Sequence, residues 1–420
     1  MRHIVVVVAA LALLVGAGQA AAAPGDSALE LAGQAAASAQ GAGAQSGASQ
    51  SHPSNTNVSV RVLSPGNDGN VTQSNTVSSN ATAANANVTG QSATQTQGGS
   101  CGCTGGTQAV GQEAESSQAA TALSYAKQSG ASNKNTPVRV LSPGDNGDVT
   151  QTNSVDSDAT AANINATGQS ADQTSAGGSG TQAVGQDADS TQHAAAASAA
   201  EQKGAENTNI SVRVLSPGKD GDVTQSNSVD SSAKAGNVNL TGQSAGQGGS
   251  GGTQAIGQDA DNDQSATALS AAKQDGATNR NIPVRVLSRG DGGNVTQSNS
   301  VDSSAAAGNL NVTKQYADQD QGGKSKGECG CASDGIQAIG QDAKSEQSAG
   351  ALSVALQSGA SNTNTPVRVG SKGDDGDVSQ SNSVDSKATA LNANLTGQKA
   401  DQGQRGGDCR CADGGTQAIG

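Results

Sequence analysis

The sequence predicts an all-β fold, a β-solenoid (β-helix) built from five imperfect repeats of 72–83 residues. Three observations favour it: a frame of constant length, strict alternation of side chains, and a scarcity of large apolar residues. Each repeat is marked by an arginine within a Val-Arg-Val triplet. The marks are Arg61, Arg139, Arg213, Arg285 and Arg368, which stand 78, 74, 72 and 83 residues apart.

All of this length variation lies in one loop per repeat. The loop runs from the glutamine of Thr-Gly-Gln or Thr-Lys-Gln to that of the next Thr-Gln-Ala or Ile-Gln-Ala, and spans 17, 13, 11 and 22 residues in the first four repeats. Subtraction gives 78−17, 74−13, 72−11 and 83−22, which is 61 each time. One inserted residue would turn a strand's side chains to the wrong face, so an invariant frame beside variable loops is typical of a solenoid.

Composition limits how the chain can fold. Its 420 residues include no Phe or Trp and only two Tyr, and Ala and Val supply most of the apolar share. Large side chains provide much of the buried area of a globular core, so we do not expect one large core. Disorder and a stack with a thin core both fit this composition. The fixed period favours the stack.

The acidic charge balance restricts the partners. The formal net charge is -13 and the pI about 4.6. A chain without basic clusters is a poor ligand for nucleic acid or anionic membranes, so we expect self-association or binding to cell-surface or matrix components.

His52 and His193 occupy non-equivalent places and no catalytic constellation is present, so we predict no enzyme and no cofactor.

Residues 1–23 are typical of a secretory signal peptide. The apolar run Ile4–Val15 is too short to span a bilayer, and small residues near Ala23 offer cleavage sites. An uncleaved anchor is the alternative. We expect a secreted protein, extracellular or on the cell surface, with no membrane span after removal of the signal peptide. Residues 24–55 are predicted to be a flexible or capping lead-in, and residues 56–420 to be the solenoid array.

Strands can be placed within the frame. The Val-Arg-Val triplet predicts a short strand, and two glycines three residues apart, such as Gly144 and Gly147, follow it. The residue before the second glycine is Asp, Asn or Gly, so this glycine is expected to supply the positive φ of a hairpin-type turn. A second strand with a period of two starts at Val149, and a third run covers Ala161–Gln169. The Ala-rich half Thr107–Asn133 is ambiguous between strand and helix.

Four repeats carry the motif Gln-x-Gly-x-x-Asn. Its ends are Gln128 and Asn133, Gln202 and Asn207, Gln274 and Asn279, and Gln357 and Asn362. The motif resembles the repeat of curlins, the secreted subunits of bacterial amyloid fibres. The resemblance implies that these eight residues point inward and form structural ladders with their counterparts in the next coil. Stacked carboxamides can both donate and accept, which supports this; an ordinary turn is the alternative.

A second resemblance is carried by two other segments. The sequences AIGQDADNDQSATALS at 255–270 and AIGQDAKSEQSAGALS at 338–353 resemble the head repeats of trimeric autotransporter adhesins. That resemblance implies a β-roll. No coiled-coil stalk or membrane anchor follows these segments, so we rank it second.

All six cysteines fall in the variable loops. They form three Cys-x-Cys pairs: Cys101 and Cys103, Cys329 and Cys331, and Cys409 and Cys411. In a secreted chain they are disulfide candidates, and pairing between loops is favoured because a bond within Cys-x-Cys is strained. The fourth and fifth loops would be neighbours in a stack. The first pair would then lack nearby partners and could link chains. A four-thiolate zinc site is the alternative.

The Asp-rich turns and the repeated arginine are both expected to have structural roles. The Asp-rich turns, such as 144–148 and 373–377, are candidates for Ca²⁺, but they match no known calcium-loop spacing and a solvated turn is favoured. The repeated arginine is expected to point outward against a nearby Asp. With about three coils per repeat, stacked arginines would lie about 14 Å apart, where their repulsion is small.

The sequence therefore predicts a secreted structural or adhesive repeat protein of an extracellular matrix, fibre or cell coat, which self-assembles through Gln/Asn-rich strands. The alternative is an extracellular binding module that presents its variable loops to a surface or glycan. The chain stops at Gly420 inside a further Thr-Gln-Ala-Ile-Gly. Either the sequence is truncated or an uncapped end stacks on another molecule.

Overall fold

The computed structural model describes residues 15–21, 29–97, 106–175, 180–249, 252–321, 335–404 and 416–420. The regular structure in these ranges consists of 18 β-strands. In chain order they are β1 (Val15–Ala21), β2 (Leu29–Ser51), β3 (Ser54–Val62), β4 (Val71–Gln97), β5 (Thr107–Ser129), β6 (Ser132–Val140), β7 (Val149–Ser175), β8 (Gly180–Lys203), β9 (Glu206–Val214), β10 (Val223–Gly249), β11 (Gly252–Asp275), β12 (Thr278–Val286), β13 (Val295–Gln321), β14 (Ile336–Ser358), β15 (Ser361–Asn364), β16 (Val367–Val369), β17 (Val378–Gln404) and β18 (Thr416–Ile419). No helix in the described ranges is long and apolar enough to cross a membrane.

The strands form three parallel sheets, which confirms the predicted all-β solenoid of stacked repeats. Sheet A runs β1-β4-β7-β10-β13-β17, sheet B runs β2-β5-β8-β11-β14-β18, and sheet C runs β3-β6-β9-β12-β15, with β16 also paired to β12. Each residue pairs with its equivalent in the next repeat, as Val149 does with Val223. One repeat is therefore one coil, and the expected three coils per repeat are wrong.

Each coil is wide and thin. A 27-residue strand of sheet A leads into the variable loop, and the chain returns in sheet B, bends, and adds the short strand of sheet C before a turn starts the next coil. At about 3.3 Å per residue, the long strand spans about 90 Å. Sheets A and B face each other along this length, since the Gln91 side chain reaches the Glu113 carbonyl at 2.8 Å.

Three local predictions change in the structure. The ambiguous half Thr107–Asn133 is strand β5 and the start of β6, and its helical alternative is wrong. The runs at Val149 and Ala161 are one unbroken strand, β7, because side chains alternate through both without a turn residue between them. The lead-in 24–55 contains β2, which pairs residue by residue with β5 as the outermost described strand of sheet B. Strand β1 lies within the predicted signal peptide.

The glycine-rich turn differs from the expected hairpin. It joins strands of two different sheets, and its positive φ values belong to Gly144 (φ 133) and to Leu141 (φ 51). Gly147 serves another purpose: a Cβ there would lie 2.3 Å from the carbonyl oxygen of Gly69 in the preceding coil. The second glycine of each turn therefore allows the backbones of neighbouring turns to touch.

The interior between sheets A and B is filled by small residues in columns. One cluster consists of alanines alone, among them Ala122, Ala159 and Ala196, and others add Val155, Val229 and their equivalents. Large buried side chains are Arg and Gln rather than aromatic residues. A core this thin holds the two sheets close along their whole length, and it depends on each coil being covered by the next.

We expect Gly147→Ala to destabilise the fold by about 2–3 kcal/mol, because the new methyl group overlaps the backbone of the preceding turn. Gly185→Ala is the matched control: its added Cβ meets no atom within 4 Å, so its effect is expected to be neutral or stabilising by about 0.5–1 kcal/mol. Urea unfolding followed by circular dichroism measures both. Equal unfolding midpoints for the two variants would contradict the close contact between turns.

Candidate functional site: amide ladders and an arginine corner

The eight residues of the Gln-x-Gly-x-x-Asn motif lie in two columns that run along the stack. Gln128, Gln202, Gln274 and Gln357 form one column, in which each Nε2 donates to the Oε1 of the preceding coil at 2.8–2.9 Å. Asn133, Asn207, Asn279 and Asn362 form the other, linked Nδ2 to Oδ1 at 2.8–2.9 Å. The intervening glycine, such as Gly204 with φ 60, makes the bend between sheets B and C.

Ten further columns of the same kind fill the interior. They begin at Gln73, Asn75, Asn85, Asn87, Gln91 and Gln95 in sheet A, at Gln34, Gln40 and Gln108 in sheet B, and at Asn57 in sheet C. The sequence signal for them is the recurrence of Thr-Gln-Ser-Asn, Asn-x-Asn and Gly-Gln segments at the repeat spacing. Because strand pairing is in register, equal residues must meet.

Many of the carboxamides are hydrogen-bonded in two directions. Gln151 donates one N–H to Oε1 of Gln73 at 2.7 Å along the stack and the other to the Thr208 carbonyl at 3.1 Å across the interior. Its own oxygen accepts from Gln225 at 2.8 Å. The cross-sheet bond requires a nitrogen at that position, so it also fixes which way the amide points. Buried polar groups that are fully paired hold a unique arrangement.

The Gln and Asn ladders run in opposite directions. Glutamine amides donate to the preceding coil, as Gln225 does to Gln151 at 2.8 Å, whereas asparagine amides donate to the following coil, as Asn153 does to Asn227 at 2.9 Å. The dipoles of the two kinds of ladder therefore oppose one another. Many parallel amides can be stacked in this way without a large net dipole along the axis.

A chain of serine hydroxyls alternates between sheets B and A. Its bonds measure 2.9–3.0 Å and follow the order Ser46, Ser79, Ser124, Ser157, Ser198, Ser231, Ser270, Ser303, Ser353 and Ser386. Each small polar group thus finds a partner in the facing sheet. The column ties the two sheets together midway along their length.

The repeated arginines form a buried column at the corner of the stack, and the expected outward position is wrong. Arg139, Arg213 and Arg285 are at most 1% exposed. Their backbones pair strand to strand, so neighbouring arginines are one coil, about 4.8 Å, apart instead of 14 Å. The side chains turn inward because backbone carbonyls line the corner: Arg213 Nη1 donates to the Gly144 carbonyl at 2.7 Å.

Three carboxylates serve the five arginines. Asp68 contacts Arg61 at 2.6 Å and Arg139 at 2.9 Å. Asp220 contacts Arg213 at 2.8 Å and Arg285 at 2.7 Å, and Asp375 contacts Arg368 at 2.7 Å. Between these carboxylates the equivalent positions hold Asn146 and Gly292. No two carboxylates of this column are therefore direct neighbours, and each inner one is shared by two cations.

This arrangement changes the acidity of the corner. Burial alone would raise the pKa of Asp68, but the hydrogen bond from Arg61 and the charge of Arg139 outweigh it and the pKa is lowered. Burial lowers the pKa of Arg285, although the Asp220 carboxylate opposes this shift. The corner is a structural ion-pair network: backbone carbonyls and shared carboxylates bind the guanidinium groups, so none is directed at an external ligand.

Two of the turn carboxylates considered for Ca²⁺ accept hydrogen bonds from backbone N–H groups. Asp145 Oδ1 accepts the N–H of Lys219 at 2.7 Å, and Asp148 Oδ1 accepts that of Asp222 at 3.0 Å. Within the described residues no three His, Cys, Asp or Glu side chains converge as metal ligands would. All six cysteines lie in 98–105, 322–334 and 405–415, outside the described residues.

Carboxylates also stack on the outer faces. Asp156, Asp230, Asp302 and Asp385 form a column on sheet A. Burial, then the charges of Asp302 and Asp156, raise the pKa of Asp230 to about 6. Burial, then the charges of Asp187 and its neighbours on sheet B, raise the pKa of Asp189 to about 6 as well. These columns are places where like charges oppose stacking.

Comparison with known proteins adds no assignment: no family model, curated protein or solved structure matches the chain. The fold and the ladders are therefore interpreted from their own geometry.

We expect Gln202→Leu to destabilise the stack by about 2–4 kcal/mol. The change removes one rung of the ladder and leaves the Oε1 of Gln128 and one N–H of Gln274 unpaired, at about 1–3 kcal/mol per unpaired group. Lys203→Leu, one residue away on the exposed face, is the control and should leave the unfolding midpoint almost unchanged. If both variants unfold alike, the ladder contributes no measurable stability.

We expect stability to decrease as the pH rises from about 4 to about 7. Asp230 and Asp189 have folded-state pKa values of about 6, above the unfolded value of 3.8, so the folded state binds more protons in this window. The lowered pKa of Asp68 acts in the opposite sense below about pH 4. Urea midpoints measured across this range should therefore peak at about pH 4–5.

The double variant Asp230→Asn with Asp189→Asn should flatten this pH dependence and raise stability at neutral pH. Thr224→Asn, an exposed change on the same strand as Asp230, should leave the slope unchanged. A wild-type midpoint that rises steadily up to pH 7 would show that the outer carboxylate columns do not control stability.

Proposed function

We propose that this protein is a secreted, non-enzymatic structural or adhesive component of an extracellular matrix, fibre or cell coat, and that it self-associates through its Gln- and Asn-rich strands. The observation that carries the proposal is the set of amide ladders. Every coil offers donors and acceptors at the same positions as its neighbours. A contact between coils of two chains would use the same bonds as a contact within one chain.

The predicted signal peptide and the curlin-like motif point to the same setting. A thin polar interior without aromatic residues suits an assembled state, because each added coil covers the one before it. Removal of residues 1–23 would take β1 away from Gly90–Thr96 of β4, to which it is paired. The mature chain would then present that part of the β4 edge for strand pairing.

A second function is favoured by the position of the variable loops. The residues from which the loops depart, such as Gln97, Ser175, Gly249 and Gln321, are paired strand to strand at one edge of the stack. All the loops therefore start from a single edge, one coil apart. A module that presents these loops to a surface or glycan would use this row.

The cysteines fit covalent reinforcement of the same edge. Gln321 and Gln404, which precede the fourth and fifth loops, are direct strand partners. Cys329 and Cys331 follow Gln321 in the sequence, and Cys409 and Cys411 follow Gln404, so we propose disulfides between these two pairs. Cys101 and Cys103 follow Gln97 of β4, which is three coils from β13, and are proposed to link chains.

Purified mature protein tests the assembly. We expect thioflavin-positive fibres whose diffraction shows the strand spacing of about 4.8 Å along the fibre axis and the sheet spacing of about 10 Å across it. Asn392→Asp with Asn394→Asp, on the inner face of β17 at the end of sheet A, should slow growth, because a carboxylate cannot donate the N–H that the next asparagine of each ladder would accept. Ser383→Asp, on the outer face of β17, is the matched control.

The same preparation is compared with and without reductant. Loss of fibres on reduction alone would assign assembly to the cysteines rather than to the ladders. A protein that stays monomeric and non-fibrillar in every condition would refute self-association and leave the loop-presenting module, which binding of glycans by the monomer would then support.

A further inference from the structure

The outer face of sheet A carries a continuous apolar surface. Three outward columns begin at Ala84, Ala86 and Val88 in β4 and run across every strand to β17. All fifteen positions hold Ala, Val, Ile, Leu or Gly. We call this surface the apolar face. Its larger side chains are open to solvent: Ile164 is 49% and Leu240 43% exposed. Patches of this kind on soluble proteins usually mark an interaction site.

A glycine trough runs beside the apolar face. The next outward column holds Gly90, Gly168, Gly242 and Gly397, with Lys314 in β13. A Cβ at any of these four glycines would meet no atom within 4 Å, and none has a left-handed φ. The fold therefore does not require glycine here, although glycine weakens a strand. The groove over this column and its neighbours has a volume of about 780 Å³.

We propose that a second copy of this chain packs on the apolar face, about a two-fold axis parallel to the stack that passes over the Val88 column. Strands of the two copies then run antiparallel, and each coil faces the same coil of the partner. The ridge that begins at Ala86 in each copy enters the glycine trough of the other. The contact is isologous, as in most homodimers.

Side-chain sizes are complementary about this axis in the second and third coils. The ridge residues Ile164 and Val238 face Gly168 and Gly242, which are four positions further along the same strands. In the columns on either side, Tyr316 of one copy faces Gly308 of the other. At these positions large side chains meet glycine, which favours an interdigitated contact between the two sheets, whereas in the fourth coil Leu310 faces Lys314.

Charges at the rim also match. Lys234 of one copy faces Gly246 of the other, and Gly246 is flanked by Asp172 and Asp318 in the adjacent strands. The Asp172 carboxylate already leans over Gly246, where it would lie 2.7 Å from an added Cβ. Lys234 would therefore sit between two carboxylates. The acidic column that contains Asp230 lies outside the contact, so it adds no direct repulsion.

The area is sufficient for a stable dimer. The columns from Ala84 to Ser92 and the five coils cover roughly 30 Å by 24 Å, or about 700 Å² on each copy. A standard protein interface buries about 800 Å² per partner. Pairing through this face does not depend on growth along the stack, which uses strand edges rather than sheet faces.

Sedimentation velocity of the full chain under reducing conditions tests the proposal. We expect a dimer in the wild type, and Leu240→Lys should weaken it at least about tenfold, because the two-fold axis brings the two lysines together. Leu269→Lys is the matched control: Leu269 is 45% exposed in the same repeat but on the outer face of sheet B, and the dimer should persist. Circular dichroism verifies that both variants keep the fold.

A charge exchange gives a second measurement. Lys234→Asp should weaken the dimer, and the combination of Lys234→Asp with Asp172→Lys should restore it. A monomeric wild type, equal effects of Leu240→Lys and Leu269→Lys, or no rescue by the exchange would overturn the proposal. In electron micrographs, filaments of Leu240→Lys should grow as the wild type does but should have the width of one chain instead of two. This result would separate the face contact from assembly along the stack.

Discussion

The whole structure depends on one constraint, the in-register stacking of equal residues in parallel strands. A carboxamide can bond to its own kind because it both donates and accepts, and Gln151 does so with Gln73 and Gln225. This is only possible if the repeat spacing places identical residues one coil apart. The 61-residue frame has a constant length because any insertion within it would place different residues opposite one another. The loops can vary in length because they lie outside this frame.

The arginine corner follows from the same in-register stacking, which here places like charges next to one another. Stacking that suits amides brings five cations to about 4.8 Å spacing, and three of them are buried. Asp68 and Asp220 are each shared by two arginines, and Asn146 keeps these carboxylates apart. A column of arginines is thus stable only when the facing turn position differs between repeats, so that carboxylates alternate with uncharged residues. The small differences between copies at this position therefore stabilise the corner.

The inner and outer faces of the sheets differ in how closely their residues repeat from coil to coil. Inner positions repeat almost without change, whereas outer ones vary across coils, as from Gly242 to Lys314 within one column. Where outer positions do repeat, they form the carboxylate columns, the apolar face and the glycine trough. Carboxylate columns oppose stacking at neutral pH, while the apolar face and the trough suit contact with another sheet. The outer faces are thus where copies of a common scaffold can acquire distinct partners.

The sequence by itself determined the repeat frame, the strand alternation and the identity of the ladder residues such as Gln202 and Asn207, because these are properties of spacing along the chain. Only the tertiary structure decided that one repeat makes one coil, that Arg213 is buried, and that Gly147 serves close approach rather than a hairpin. Each of these depends on which strands become neighbours across 72–83 residues, and a local pattern carries no information about that distance in space.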